Sequence, residues 1–126
     1  MIKKILIADD LEMNREILKE MLKGDYEVLE AENGQEVLDI LSNRESGVCA
    51  VLLDIVMPVL DGYETLRRLR ADESIPHIPV IMITGFEDEL SRTKSLSLGA
   101  NDFVIKPYNP DIIRHCLKNN IALYES

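Results

Sequence analysis

The sequence predicts an α/β fold in which five parallel strands form a sheet with helices on both faces. Short apolar runs alternate with amphipathic segments along the whole chain, and three of the runs are almost entirely Ile, Leu and Val, as expected of strands covered on both faces. Strict alternation of strands and helices implies right-handed crossovers and parallel strands. The five runs are KILIA (4–8), YEVLEA (26–31), CAVLLD (49–54), PVIMIT (79–84) and DFVIK (102–106).

The first two helices are predicted from apolar spacing and from residues suited to a helix start. The second helix is expected to begin at Asn33, with Glu36 placed to complete its cap, and to carry Val37 and Leu41. The first helix lies between the first two runs, and its apolar residues at helical spacing are Met13, Ile17, Leu18, Met21 and Leu22.

The remaining helices are predicted in the same way. Asp61 is expected to cap the third, with Glu64 completing the cap. Residues 87–98 form the least apolar segment, so the fourth helix should pack most loosely. Asn109-Pro110 begins the last helix, with Pro at its first position. The residues of this helix expected to face inward are Ile112, Ile113, Cys116, Leu117 and Ile121.

Composition excludes several classes of function. The chain has 126 residues and a formal net charge of −9, so it should repel nucleic acid and anionic membranes. No apolar stretch approaches bilayer length, and we expect a cytoplasmic protein. Cys49 and Cys116 form no CxxC pair and are expected to be buried, reduced thiols. His77 and His115 lie far apart, and no metal or catalytic role is expected for them.

Polar residues end four of the five predicted strands: Asp9-Asp10 the first, Asp54 the third, Thr84 the fourth and Lys106 the fifth. In an open parallel sheet the binding crevice lies at the carboxyl ends of the strands, so these side chains should converge. Close carboxylates repel one another and must take up protons or bind a cation. An all-oxygen acidic site suits Mg²⁺, while a lysine and a hydroxyl suit a phosphoryl group.

Each of these residues also has a purely structural interpretation. Taken alone, Asp10 or Asp61 could simply cap a helix, and for Asp61 that interpretation is preferred. Thr84 and Lys106 would be unremarkable at a strand end. Asp54 is harder to explain structurally, because an apolar run that ends in a charge calls for a partner.

Four motifs together resemble the receiver domain of bacterial two-component response regulators: ADD (8–10), LLDIVMPVLDG (52–62), ITG (83–85) and FVIKP (103–107). The resemblance covers essentially the whole chain, so residues 1–126 are expected to form one receiver domain. It implies a flavodoxin-like, doubly wound (βα)5 fold with sheet order 2-1-3-4-5. Whether the chain stands alone or is a piece of a longer regulator is left open.

The resemblance also implies roles for residues of the site. Asp54 would accept the phosphoryl group. Asp10 would bind Mg²⁺ directly, Asp9 would bind it through water, and the Val56 carbonyl would be a further ligand. The phosphoryl oxygens would be held by Lys106 and Thr84 and by the backbone N–H groups of Val56 and Gly85.

A conformational switch is implied as well. Thr84 would move toward the phosphoryl group and Phe103 would turn inward, with a plain core residue as the alternative interpretation of Phe103. The Lys106-Pro107 peptide bond lies where the family has a cis bond. The implied partners are a sensor histidine kinase or a histidine phosphotransfer protein, a homodimer through the fourth helix, fifth strand and fifth helix, and an attached effector domain.

Val56 and Phe86 each lie two residues beyond a motif residue, where family members often carry polar groups that place a hydrolytic water. Both are apolar here. They could therefore shield an aspartyl phosphate from water. The sequence thus predicts slow self-dephosphorylation.

Three other functions are possible for a chain with these residues. An aspartate-nucleophile phosphohydrolase should carry a second aspartate two residues after the nucleophile, where this chain has Val56, and it would need a cap domain. A flavodoxin-like binding module should have a Gly-, Ser- or Thr-rich phosphate loop, where this chain has DDLEMN. A receiver-like docking domain that is never phosphorylated is the more serious alternative.

Overall fold

The computed structural model describes residues 2–85 and 89–125. Five strands and five helices alternate along the chain, with one 3₁₀ turn at Arg44–Ser46. The strands are β1 (Lys3–Ala8), β2 (Tyr26–Ala31), β3 (Val48–Asp54), β4 (Val80–Thr84) and β5 (Asp102–Ile105). The helices are α1 (Glu12–Leu22), α2 (Gly34–Ser42), α3 (Gly62–Ala71), α4 (Glu89–Ser97) and α5 (Pro110–Glu125).

The five strands form one parallel sheet in the order β2-β1-β3-β4-β5. This order and the alternation of elements confirm the predicted fold class. Each predicted strand agrees with the observed one to within one residue at either end. Of the predicted fourth helix, Glu87 and Asp88 lie outside the described residues.

Both faces of the sheet are buried, because helices cover each of them. Neighbouring residues of a strand point to opposite faces and so belong to different apolar layers. On β1, Ile5 and Ile7 pack with α1 and α5, whereas Leu6 and Ala8 pack with α2 and α3. β2 lies at an edge and its side chains are the least buried of the sheet. The central strands β1, β3 and β4 are therefore the most deeply buried part of the sheet.

Three helix starts follow the predicted chemistry. The Asn33 side chain accepts a hydrogen bond from the Glu36 N–H at 3.0 Å, and Asp61 accepts one from Glu64 N–H at 2.9 Å. Asn109 accepts from Asp111 N–H at 2.9 Å, directly before Pro110. The predicted role of Glu64 in completing the α3 cap is wrong, since its carboxylate instead accepts hydrogen bonds from Arg67 and Arg68 on the next turn.

The apolar stripes of α1 and α5 are narrower than the sequence suggested. Ile112 was expected to face inward but is 52% exposed. The buried stripe of α5 instead repeats every four residues, at Ile113, Leu117 and Ile121, and Ile112 is turned away from it. On α1, Leu18 and Leu22 are buried while Met13 and Ile17 are exposed.

The cysteines and histidines lie outside the deeply buried core. Cys49 and Cys116 are free, as predicted, but only half-buried. His77 and His115 are exposed. Within the described chain, no helix has the length and apolar character needed to span a membrane.

Candidate functional site

The sheet order brings four strand ends together. β3 pairs with β1 on one side and β4 on the other, and β4 pairs with β5. Leu53 is in register with Ala8, so Asp54 and Asp9 follow as neighbours at the same edge. Thr84 is in register with Ile105, which places Lys106 next. The predicted convergence therefore occurs at the carboxyl edge of the sheet.

Three carboxylates form the centre of this edge. Oxygen atoms of Asp9, Asp10 and Asp54 all lie within 4.8 Å of one another. Asp9 and Asp54 are 1% and 6% exposed, whereas Asp10 is open to solvent. Two buried acids and one exposed acid form an all-oxygen donor set, with an open side that leaves room for water ligands. That set is the kind that a hard cation such as Mg²⁺ prefers.

Lys106 is the cation of the site. Its Nζ lies 3.3 Å from Asp54 Oδ2 and 3.6 Å from Asp9 Oδ2. Its backbone N–H donates to the Thr84 carbonyl at 2.8 Å, which extends the β4–β5 ladder to the edge. The Lys106-Pro107 peptide bond is cis, as the resemblance implied. One lysine therefore forms ion pairs with two buried acids.

The balance of burial and charge sets the protonation of Asp54. Burial is the largest influence and, together with the nearby Asp9 carboxylate, raises the pKa of Asp54 from 3.8 to about 6. Lys106 and the Val56 backbone N–H oppose the rise but do not cancel it. The negative charge of the carboxylates therefore exceeds the positive charge that Lys106 supplies. This excess of negative charge favours the binding of a metal ion.

Two oxygen atoms of Asp9 accept hydrogen bonds from the described residues around it, and the third does not. Its Oδ1 accepts a hydrogen bond from the Leu11 N–H at 2.9 Å. Its carbonyl accepts from Arg15 at 2.8 Å, and the same guanidinium donates to Glu30 at 2.9 Å. Its Oδ2 is buried and accepts no hydrogen bond from any described residue. A buried oxygen of this kind, beside two other acids, fits a site for a cation and its hydration shell.

Sequence reasoning missed Arg15 and Tyr108. Arg15 is 7% exposed and ties the first turn of α1 to the end of β2 beneath Asp9. The available signal was a charged residue in register with Leu18 and Leu22 on the buried stripe of α1. Tyr108 follows Lys106 by two residues, and burial and the charges of Asp9 and Asp54 raise the pKa of its phenol above the usual range.

The loop after Asp54 is tightly constrained. Ile55 N–H donates to the Ile83 carbonyl at 3.0 Å, and Gly62 N–H donates back to the Ile55 carbonyl at 2.8 Å. A Cβ at Gly62 would lie 2.4 Å from the Asp54 carbonyl oxygen, so only glycine fits there. The Val56 side chain is 58% exposed at the mouth of the site.

Two residues singled out in the sequence lie away from the acidic cluster, one at a helix start and the other in the core. Asp61 is exposed and caps α3, which confirms the structural interpretation preferred for it. Phe103 is 6% exposed and packs in the apolar layer beneath α2 and α3, with the Arg92 guanidinium 5.8 Å from its ring centre. Thr84 is buried and Gly85 exposed at the end of β4. Phe86 lies outside the described residues.

Known proteins resemble this chain in sequence and in fold. The sequence profile of the response regulator receiver domain matches residues 5–118, which is most of the chain. The chain belongs to this family. The receiver domain is a signalling module of two-component systems, and the strand order of this one is that of its family.

Two relatives illustrate the range of lengths within the family. "Probable transcriptional regulator ycf27" of Cyanophora paradoxa is 41% identical over 109 residues, covering 86% of this receiver domain and 44% of that protein. "Chemotaxis protein CheY homolog" of Campylobacter jejuni is 32% identical over 118 residues, covering 92% of this chain and 90% of that one. The chain thus spans less than half the length of the ycf27 relatives.

A solved structure bears on the acidic cluster. The receiver domain of sensor histidine kinase PA1611 from Pseudomonas aeruginosa superposes with a TM-score of 0.86 at 28% identity, covering 97% of this chain and 99% of that one. In that protein a magnesium ion is coordinated in the active-site cleft. Receiver domains bind Mg²⁺ in an acidic pocket, and this chain has an aspartate cluster in the corresponding fold.

Proposed function

We propose that this receiver domain accepts a phosphoryl group on Asp54 from a phosphohistidine donor and thereby changes the surface that it offers to a partner. The observation that carries the proposal is the position of Asp54: a buried carboxylate at the end of β3, 3.3 Å from Lys106 and within 4.8 Å of two further acids. Surface acids do not have such surroundings.

The chemistry follows from that position. A carboxylate oxygen of Asp54 attacks phosphorus as the phosphorus–nitrogen bond of the phosphohistidine breaks, which leaves an acyl phosphate on Asp54 and a free imidazole on the donor. Asp9, Asp10, Asp54 and the Val56 carbonyl would hold Mg²⁺, which neutralises phosphoryl oxygens when bound. Lys106 holds a phosphoryl oxygen by charge, Thr84 does so by its hydroxyl, and the N–H groups of Val56 and Gly85 donate to the others.

We assign the response to Thr84 and Phe103 and to the face formed by α4, β5 and α5. α4 is the least anchored helix, since Ser95 is the single buried residue among its described side chains. A small shift at Thr84 can therefore move α4 at little cost in packing. Phosphorylation shifts an existing equilibrium toward the form that binds the partner.

The partners in this proposal are defined by their chemistry. The donor is a histidine kinase or a histidine phosphotransfer protein. The recipient of the signal is either an attached effector domain, as the greater length of the ycf27 relatives allows, or a separate protein or second copy bound at the α4–β5–α5 face. The domain itself turns over no external substrate, and its net charge of −9 opposes direct contact with DNA.

One experiment separates phosphorylation from the alternatives. The full chain is incubated with acetyl phosphate or beryllofluoride, with and without Mg²⁺, while intact mass and oligomeric state are followed. We expect an Mg²⁺-dependent adduct on wild type and none on Asp54→Asn, with Asp61→Asn as the matched control that still reacts.

The other results have equally definite meanings. No adduct at all would leave the domain as a docking module that acts without phosphorylation. An adduct that persists in Asp54→Asn would place the acceptor elsewhere. Continuous release of phosphate from small phosphoesters would mean an aspartate-nucleophile phosphohydrolase instead.

A further inference from the structure

Two buried polar atoms at the acidic cluster lack hydrogen bonds from the described residues: Asp9 Oδ2 and the Tyr108 hydroxyl. They belong to the same small region, since the phenol interacts with the Asp9 carboxylate and feels the charge of Asp54. Folded proteins keep very few buried polar atoms without a partner, and those they keep usually mark a water, an ion or a functional role. Two such atoms in one region, at a cluster of acids that suits a cation, call for a common explanation.

Packing alone does not account for the hydroxyl. The Tyr108 ring packs against the apolar layer between the sheet and helices α1 and α5. A phenylalanine would pack there equally well and would place no unpaired oxygen beside two carboxylates. The hydroxyl must therefore gain a partner in some state of the protein.

The neighbouring lysine does not supply that partner. Lys106 Nζ lies 3.3 Å from Asp54 Oδ2 but 3.6 Å from Asp9 Oδ2, which is an ion pair without a hydrogen bond. The phenolic hydroxyl can donate one hydrogen bond and accept another. It can thus donate to Asp9 Oδ2 and still accept from a water.

The Mg²⁺ site of the proposed function brings such water. Mg²⁺ gives up its hydration reluctantly and usually keeps several waters when proteins bind it. Asp9 is too deeply placed to reach solvent, so groups around it must satisfy any water held there.

We propose that Tyr108 is a positioning residue of the metal site, whose hydroxyl donates to Asp9 Oδ2 and accepts from the hydration shell of the bound Mg²⁺. This inference rests on the cation site of the proposed function. It concerns how tightly the metal is held and leaves the phosphoacceptor role of Asp54 unchanged. Groups that support a metal through its outer shell commonly change its affinity by about 10- to 100-fold.

The test is calorimetric titration of Mg²⁺ alone into the metal-free full chain. We expect Tyr108→Phe to weaken Mg²⁺ binding by about ten-fold. Tyr26→Phe is the matched control, because it removes a phenolic hydroxyl at the opposite end of the sheet, and its affinity should equal that of wild type. The thermal midpoint of metal-free Tyr108→Phe should equal or exceed that of wild type, because the substitution removes a buried oxygen without a partner.

The Mg²⁺ dependence of phosphorylation distinguishes a role of Tyr108 in metal binding from a purely structural role. The Mg²⁺ concentration that gives half-maximal modification by acetyl phosphate should rise in Tyr108→Phe, while the rate at saturating Mg²⁺ stays that of wild type. In an Asp9→Asn background the Tyr108→Phe substitution should add little, since both residues act on the same water.

A second measurement does not depend on the variant being folded. In wild-type protein the phenolic carbon resonance of Tyr108 should move with Mg²⁺, with the same dissociation constant that calorimetry gives, while that of Tyr26 stays fixed. Equal Mg²⁺ affinities in Tyr108→Phe and wild type, or a Tyr108 resonance that ignores Mg²⁺, would overturn the inference. If wild type itself binds no Mg²⁺, the proposed metal site and this inference fail together; if wild type binds Mg²⁺ but Asp54 takes no phosphoryl group, the phosphoacceptor proposal alone fails.

Discussion

Lys106 Nζ lies 3.3 Å from Asp54 Oδ2, yet the pKa of Asp54 is raised to about 6 rather than lowered. Burial and the Asp9 carboxylate outweigh a lysine that is itself shared with Asp9 at 3.6 Å. The site thus has room for one more positive charge than the chain supplies. The ionised Asp54 carboxylate lowers the free energy of unfolding, and perturbed pKa values of this kind are common at functional sites.

The first prediction concerns pH and Asp54. Because its folded pKa exceeds the ordinary 3.8, the folded protein binds more protons than the unfolded chain between about pH 4 and pH 6, and stability falls as pH rises through that window. Asp54→Asn should therefore be more stable than wild type at neutral pH, by on the order of 3 kcal/mol, and equal to it below about pH 4. Urea unfolding in EDTA across this pH range measures the difference.

The control for this prediction is Asp61→Asn, which keeps a capping side chain and lies outside the acidic cluster. It should change stability little at any pH. An Asp54→Asn curve that runs parallel to wild type would contradict the charge argument. Adding Mg²⁺ should raise the stability of wild type more than that of Asp54→Asn, because the metal replaces the missing positive charge.

The second prediction concerns the lifetime of the phosphorylated state. The Val56 side chain stands 58% exposed at the mouth of the site and offers no polar group to a hydrolytic water. Val56→Asn should speed loss of the phosphoryl group by about ten-fold, which is less than the roughly 100- to 10,000-fold usual for a general acid or base, because an amide orients the water without taking its proton. Release of phosphate from the purified phosphorylated domain, with Mg²⁺ present, measures the rate. Val56→Leu is the control, and its rate should stay that of wild type; equal rates in Val56→Asn and wild type would refute the shielding hypothesis.

A third prediction follows from strain in the loop after the acceptor. Val59 has φ of 68°, a left-handed conformation that β-branched residues avoid, and its side chain is 80% exposed. Asn accepts this conformation more readily, so Val59→Asn should stabilise the domain by about 1 kcal/mol. The shift in urea midpoint, with unchanged slope, measures it. Val59→Ala keeps the Cβ and should gain clearly less; a gain as large as that of Asn would point to a cause other than backbone strain.

The fourth prediction concerns the end of α5. The Tyr124 hydroxyl lies 2.8 Å from His77 Nδ1, accepts from Asn101 at 3.0 Å, and its ring stacks on the imidazole at 5.4 Å. Burial and the nearby Arg70 lower the pKa of His77. The stability that the neutral imidazole contributes is therefore fully present above the ordinary histidine pKa, and it is lost as pH falls through the pKa of His77 in the folded protein. Tyr124→Phe should cost about 1 kcal/mol at neutral pH and less in acid.

Comparing the urea unfolding of wild type and Tyr124→Phe at several pH values checks this prediction, with Tyr63→Phe as the control. The difference between wild type and Tyr124→Phe should shrink toward acid pH. A difference independent of pH would show that the hydroxyl does not depend on a neutral imidazole.

Much of the fold could be predicted because its signals are local. A run such as VLLD is buried on both faces in a parallel sheet, and the alternation of runs with amphipathic segments specifies the crossovers. Helix starts at Asn33, Asp61 and Asn109 were likewise predictable, because a capping side chain bonds to backbone only two or three residues away.

The failures share a different cause. Ile112 has the right residue type for a core position but lies beside the stripe of Ile113 and Leu117, and only the packing angle of α5 decides which of them is covered. Glu64 has the right spacing for a cap, yet two arginines on the following turn offer stronger partners. Competition between neighbours decides both cases.

By itself, the sequence determined that Asp9, Asp54, Thr84 and Lys106 would meet, because each follows a buried strand and the carboxyl ends of parallel strands share one edge. The tertiary structure decided how those groups are balanced. It placed Arg15 under Asp9 and gave two buried acids one lysine, and it left Asp9 Oδ2 and the Tyr108 hydroxyl without a hydrogen bond from the described residues. Such features depend on distances and burial between segments far apart in the chain, which no local pattern encodes.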